Sequence, residues 1–289
     1  MTVAVAARSE VWAERRRRVA ELRARQGFAR QLLDFYGALL GVQEAAFLEA
    51  EASPPPAADL AAYVAETVLP GIVDVGVAAG PDSLRSELIR RFGAYEAHEL
   101  VSGWMRGEEQ TVVDRFLARA SLGPVLEALD QDARAQCAGP RDARHCPECG
   151  GPPQFSFSAA AADDLATGRR FLACARCAAA WGYARMTCAG CGEDASARLS
   201  VFSEHGTTSG ERGSVVRGLP ADAPAAAHRP VFPHMRIEAC DTCHHYLLSI
   251  DLAIDPAAVP VVDEMAAIPL DLYARERGYT KVTTNLMGF

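Results

Sequence analysis

A chain of 289 residues with 49% hydrophobic side chains has room for two or three domains and enough apolar surface for a buried core. A net charge of -8 argues against a protein whose main work is neutralising nucleic-acid phosphates. The amino end, MTVAVAARSEVWAERRRR, reaches charge too soon for a secretory signal, and no stretch offers eighteen uninterrupted apolar residues, so the expectation is a cytoplasmic chain without membrane insertion.

In chain order, the first elements read as helices. The basic run Arg15 to Arg18 reads as a solvated face of a first amphipathic helix. Phe28, Leu32, Phe35, Leu39 and Val42 then recur at three- and four-residue steps until SPPP, Ser53 to Pro56, stops the pattern. The most apolar stretch, VLPGIVDVGVAAG, is interrupted by Pro70, Gly71 and Asp74 and reads as a buried helix or turn. Leu84, Leu88, Phe92 and Tyr95 form a second stripe, and Val112, Phe116 and Ala120 a third, which runs past a kink at Gly123 and Pro124 toward Cys137. Cys137 falls in register with Leu126, Leu129 and Ala133 and reads as a buried thiol. These elements make a helical domain over residues 1–138.

Beyond it the helical period fades. QFSFS, RRFLAC, AWGYARMTC and RLSVFSE read as short strands, and residues 206–233, rich in Gly, Pro, Ser and Ala, as a mobile loop. VVDEMAAIPLDLYARERGY returns to helical spacing around Pro269, followed by a short extended tail. The expected class is multidomain, α plus small β: the helical domain, a first four-cysteine domain at 139–186, a second at 187–255 carrying the loop, and a C-terminal helical segment with its tail at 256–289.

Eight of nine cysteines fall in four CxxC pairs: Cys146/Cys149, Cys174/Cys177, Cys188/Cys191 and Cys240/Cys243. Without an export signal these thiols stay reduced and available to metal. Two thiolates three positions apart aim at one ion when the backbone between them turns tightly, and Gly150 and Gly192 supply the residue that closes the turn. Two such knuckles make a tetrahedral site of four sulfurs, suited to Zn²⁺ or a single iron. Joining neighbours gives Cys146, Cys149, Cys174 and Cys177 as one site and Cys188, Cys191, Cys240 and Cys243 as the other. A cross-brace would join first with third and second with fourth, but such arrangements keep the middle pairs close, and Cys177 and Cys188 are far apart.

Three chemistries compete at this point. Four-sulfur zinc sites most often only fold domains too small for a core of their own. Thioredoxin-like exchange needs a CxxC that opens a helix after a buried strand, and no second pair. A nucleic-acid ribbon is disfavoured, because residues 139–255 hold 11 Arg and no Lys against 13 Asp plus Glu.

The order of parts resembles the FdhE family of formate dehydrogenase accessory proteins. The resemblance is carried by the helical amino half, CPECGG, CARCAAAWGYARMTCAGCG, ACDTCHHYL and LDLYARERGYTKVTTN, and is most specific between Cys174 and Cys191. It implies two rubredoxin-like, four-cysteine domains holding two metal ions, iron rather than zinc, with all eight paired cysteines as ligands. It further implies a non-enzymatic cytoplasmic factor that binds the catalytic subunit of a formate dehydrogenase and is needed for its assembly or activation. The alternatives are a structural zinc-ribbon adaptor of another complex and a two-iron redox protein. Supporting roles fall to Gly150 and Gly192 in the turns, to Trp181 in the ribbon core and to Arg185, which stands between the sites and would offset their charge or bind a carboxylate. His98 and His145 read as ordinary polar residues. His244 and His245 depart from the family, which has glycine after the fourth pair, and read as surface or packing residues.

Overall fold

The computed structural model describes residues 8–91, 96–159, 168–204 and 230–289. The amino half is helical: α1 (Arg8–Arg25), α2 (Arg30–Ala52), α3 (Ala57–Ala79), α4 (Asp82–Arg90), α5 (Ala97–Arg106), α6 (Val112–Ala128) and the single turn α7 (Gln131–Arg134). Pro54 to Pro56 end α2, as their lost amides require. The stripe expected from Phe28 to Val42 is shifted: α2 starts only at Arg30, so Phe28 lies before the helical period and is 55% exposed. The buried face is instead Leu33, Phe35, Tyr36, Leu39, Leu40 and Phe47. Phe92 and Tyr95, expected on the next stripe, lie outside the described residues.

The helix α3 contains a π-turn at Val64–Val68. By length and composition it could cross a membrane, yet its Leu60, Val64, Val68, Leu69 and Ile72 are buried in the helical core. Thr111 caps α6 by accepting the amide of Asp114 at 3.2 Å. Pro124 removes one amide without ending the helix, because Leu122, Val125 and Leu126 around it are fully buried.

Half of the basic run is a solvated face: Arg16 and Arg17 are exposed, whereas Arg15 and Arg18 are buried. Arg15 pairs with Glu127 at 2.6 Å and lies 4.4 Å from the Trp12 ring. Arg18 is 2% exposed and reaches Asp263, Asp255 and Glu21. One helical face thus carries Trp12, Arg15, Arg18, Val19 and Leu22 inward, and apart from Glu21 the carboxylates that make burial of the arginines tolerable come from segments distant in the chain.

The remaining strands form one seven-stranded sheet, ordered β3-β2-β1-β6-β5-β4 with β7 on β6. They are β1 (Pro153–Ser158), β2 (Arg170–Cys174), β3 (Ala180–Gly182), β4 (Leu199–Ser203), β5 (Met235–Cys240), β6 (His245–Asp251) and β7 (Thr280–Lys281). Two antiparallel meanders, β1-β2-β3 and β4-β5-β6, repeat one plan: knuckle, strand, strand, knuckle, strand. The parallel pairing of β1 with β6 fuses them, and β7 runs parallel to the start of β6. Of the loop expected at 206–233, residues 206–229 lie outside the described residues.

Two helices close the chain, α8 (Pro260–Ala266) and α9 (Ile268–Glu276), separated at Ala267 and each with proline in its first turn. From α9, Leu270, Tyr273 and Ala274 pack on the sheet face made by Ile237, Tyr246 and Leu248. From α8, Val262, Met265 and Ala266 join the helical core. Lys281 is fully buried between Glu264 and Asp271, and Tyr246 donates to Asp271 at 2.7 Å, tying tail, helices and sheet together.

Candidate metal centres

Each knuckle closes in the same way. The amide four residues after the first cysteine donates to that cysteine's carbonyl: Gly150 to Cys146, Ala178 to Cys174, Gly192 to Cys188 and His244 to Cys240, at 2.9, 3.2, 2.9 and 2.9 Å. The donating residue is left-handed in all four, with φ of 69°, 60°, 86° and 56°. Gly150 and Gly192 therefore sit where a glycine relieves strain. His244 keeps the same turn as its glycine counterparts, and its ring stands 6.3 Å from Tyr279.

These turns, with the antiparallel pairings, bring the cysteines together in neighbouring pairs. Cys146, Cys149, Cys174 and Cys177 form one group and Cys188, Cys191, Cys240 and Cys243 the other, the four sulfurs of each lying within 4.8 Å of one another. The closest contacts are 3.3 and 3.7 Å in the first group and 3.7 and 3.8 Å in the second. A tetrahedron with metal–sulfur bonds of about 2.3 Å has edges of about 3.8 Å, so both groups have the size of a four-sulfur cage and neither is a pair of disulfides. Either group could hold a metal ion.

The thiols cannot all ionise unaided. In the first group Cys146 is held low by hydrogen bonds from Cys149, Cys174 and Cys177, while Cys177 is pushed far up by its contacts with the same three sulfurs. Four adjacent thiolates require a cation to offset them. Part of the negative charge is met by backbone amides: Gly151 donates to Cys149 Sγ, Arg176 to Cys174 Sγ and Gly190 to Cys188 Sγ, at 3.3 to 3.4 Å.

The surroundings of the two groups differ. All four sulfur residues of the first are buried and belong to the helical core. Two buried arginines stand beside them. Arg176 donates to the carbonyls of Ala138 and Cys149, both at 2.9 Å, and Arg119 to Thr284 O and Gln154 Oε1. Burial lowers Arg119 to about 10. In the second group Cys191 is exposed and Cys243 half-buried.

Of the other residues singled out in the sequence, Trp181 is half-buried against Leu172, Ala189 and Leu247 and donates Nε1 to Ala143 O at 3.0 Å. Arg185 is exposed near the second group, beside Cys188 and Cys240. His245 contacts the carbonyl of Cys243 at 2.8 Å, and neither it nor His244 is among the clustered groups. Cys137 is 1% exposed, outside both groups, and pushed by burial to about 11. His98 lies 3.5 Å from Ser102, and His145 2.7 Å from Asp142.

Sequence reasoning missed Arg176 and Gly151. Arg176 stands inside its own knuckle, CARC, which is the signal that could have found it. A Cβ on Gly151 would come within 2.8 Å of Cys174 Sγ and 3.2 Å of Cys149 Sγ, so only glycine leaves the cage its space. A third group of possible ligands, His234, Asp255 and Asp263, already has its cation: Arg18 lies 2.7 and 2.6 Å from the two carboxylates.

Comparison with known proteins places these features. The family model of the FdhE central domain matches residues 145–185, and that of the FdhE C-terminal domain residues 223–287. A protein FdhE homolog of Aquifex aeolicus (strain VF5) is 33% identical over 207 residues, 71% of this chain and 62% of the relative. One from Pseudomonas aeruginosa is 32% identical over 143 residues, 49% of this chain and 38% of the relative. The chain thus spans less than two thirds of the curated relatives it matches. The crystal structure of the FdhE protein from Pseudomonas aeruginosa shares the fold, with a TM-score of 0.61 at 22% identity over 97% of this chain and 96% of that one.

Proposed function

We propose that this chain, which belongs to the FdhE family through its central and C-terminal domains, is a cytoplasmic, non-enzymatic accessory protein of formate dehydrogenase. In this reading it binds the catalytic subunit and is needed for assembly or activation of the enzyme. The observation that carries it is the pair of four-sulfur cages set in one sheet, of which the family's domains match Cys146, Cys149, Cys174 and Cys177 in the first and Cys240 and Cys243 in the second. Cys146, Cys149, Cys174 and Cys177 would hold one ion and Cys188, Cys191, Cys240 and Cys243 the other. All-sulfur tetrahedral ligation accepts iron or zinc, and iron is the proposed occupant of both centres. Bound iron would supply a one-electron ferric–ferrous couple; zinc would supply cohesion alone. The chain's own residues fix the sulfurs, donate amides to them and exclude water from the first cage.

The test replaces one cysteine of each centre, Cys146→Ser and Cys243→Ser, in the native host. Formate dehydrogenase activity should be abolished with the transcript of its catalytic subunit unchanged, and normal activity in both strains would reject the reading. Pull-down from the same host should recover the catalytic subunit, and metal analysis of that sample should find two equivalents of iron. Two equivalents of zinc in a colourless protein would favour the structural ribbon instead.

A further inference from the structure

Beside the second cysteine group, a cavity of about 300 Å³ lies between β4, β5, the start of β6 and the segment that runs from Arg185 to Ala189. That volume is at the small end of ligand sites. Three arginines line it, Arg170, Arg185 and Arg236, against the single carboxylate of Glu238. Glu238 is shared: Oε2 accepts from Arg170 at 2.7 Å and from Ser156 at 3.1 Å, while Oε1 takes only a 3.3 Å bond from Arg236. Arg170 is 4% exposed in its side chain, and its Nε has no hydrogen-bond partner among the described residues. Arg185 pairs with no carboxylate among the described residues.

A concave site lined, among the described residues, by three guanidinium groups and one carboxylate, in a chain of net charge -8, favours an anion. Two features identify its kind. Guanidinium groups match the planar, two-oxygen geometry of a carboxylate. Met186 and Val201, 54% and 55% exposed, add apolar surface to the same walls, and methionine with arginine is the composition of protein interfaces rather than of solvated surface. The thiolates of Cys188 and Cys240 also line this cavity, and the Gly190 amide meets part of the charge at Cys188 Sγ.

We propose that this cavity receives an acidic side chain, Asp or Glu next to an apolar residue, from a docked polypeptide. The proposal rests on the accessory reading for the identity of that polypeptide, and on charge complementarity for the site itself.

The experiment uses the full-length, metal-loaded protein and the double variant R185E/R236E, both positions being exposed enough to accept the change without unfolding the sheet. Two probes are applied: the blocked dipeptide N-acetyl-Glu-Leu-amide, followed by NMR, and the formate dehydrogenase catalytic subunit, followed by binding affinity. The dipeptide should shift the amides of residues 185–189 and 199–201 saturably in the wild type and not in the variant. Affinity for the catalytic subunit should fall at least ~10-fold in the variant, with metal content unchanged. Absence of a saturable dipeptide shift, or equal subunit affinity in both proteins, overturns the proposal. Loss of metal from the second centre in a variant that still binds the subunit also overturns it, since the arginines would then be counter-ions of the centre. If the dipeptide binds but the subunit does not bind even the wild type, the accessory reading falls and the acidic-ligand site stands.

Discussion

The two cysteine groups share a backbone plan and differ in what surrounds it. The first is enclosed by the helical core, with Arg119 and Arg176 buried alongside; the second stands at the open side of the sheet with Cys191 exposed. Identical turns thus create one group of four sulfurs inside the hydrophobic core and another that reaches solvent. The lesson is that the knuckle fixes ligand geometry, whereas the packing around it decides how strongly metal and fold depend on each other.

The largest expected effect tests that dependence. Cys174→Ser should destabilise the fold by about 3–5 kcal/mol, because it leaves buried thiols without their ion. Cys191→Ser should cost about 1–2 kcal/mol, since water can serve the freed groups there. Denaturant unfolding of the two variants checks this, and equal losses would erase the distinction. Next in size, Gly151→Val should remove metal from the first centre and lower stability by about 2–3 kcal/mol, the side chain competing with Cys174 and Cys149 for space. Gly192→Ala meets only left-handed backbone strain, about 1 kcal/mol, and should retain its metal. Metal analysis of both proteins decides.

Chelation should then separate the centres in time. The second should release its ion at least ~10-fold faster, as the buried first centre opens only when packed helices part. Stopped incubations with a chelator and metal analysis would show two phases; a single phase would refute the contrast. The smallest effect probes what the centres have in common. Ala178→Gly and His244→Gly each exchange a left-handed non-glycine residue for glycine, and each should raise stability by about 0.5–1 kcal/mol. Similar gains would show that the turn itself carries the same strain in both, leaving burial as the difference.

Local chemistry made much of this legible. CxxC spacing implied the turn, and the separations between the pairs implied which sulfurs come together; Gly150 and Gly192 lie at the left-handed closing positions. The basic run was misread at Arg15 and Arg18, though not at the exposed Arg16 and Arg17, because a charge pattern looks the same on a solvated face as on a buried one. The partners of Arg15 and Arg18 are Glu127 and Asp263, 112 and 245 residues away. Phe28 was misplaced because a short irregular turn before Arg30 resets the helical phase.

By itself, then, the sequence determined the helical amino half, the short strands and the two sets of four sulfurs, since each depends on residues within a few positions or on a repeated motif. Only the tertiary structure decided that β1 lies beside β6 to make a single sheet, that Lys281 is buried between Glu264 and Asp271, and that three arginines face one glutamate beside the second centre. Those facts follow from long-range pairing and burial, whose energies depend on which distant groups meet, and no local pattern of residues records that.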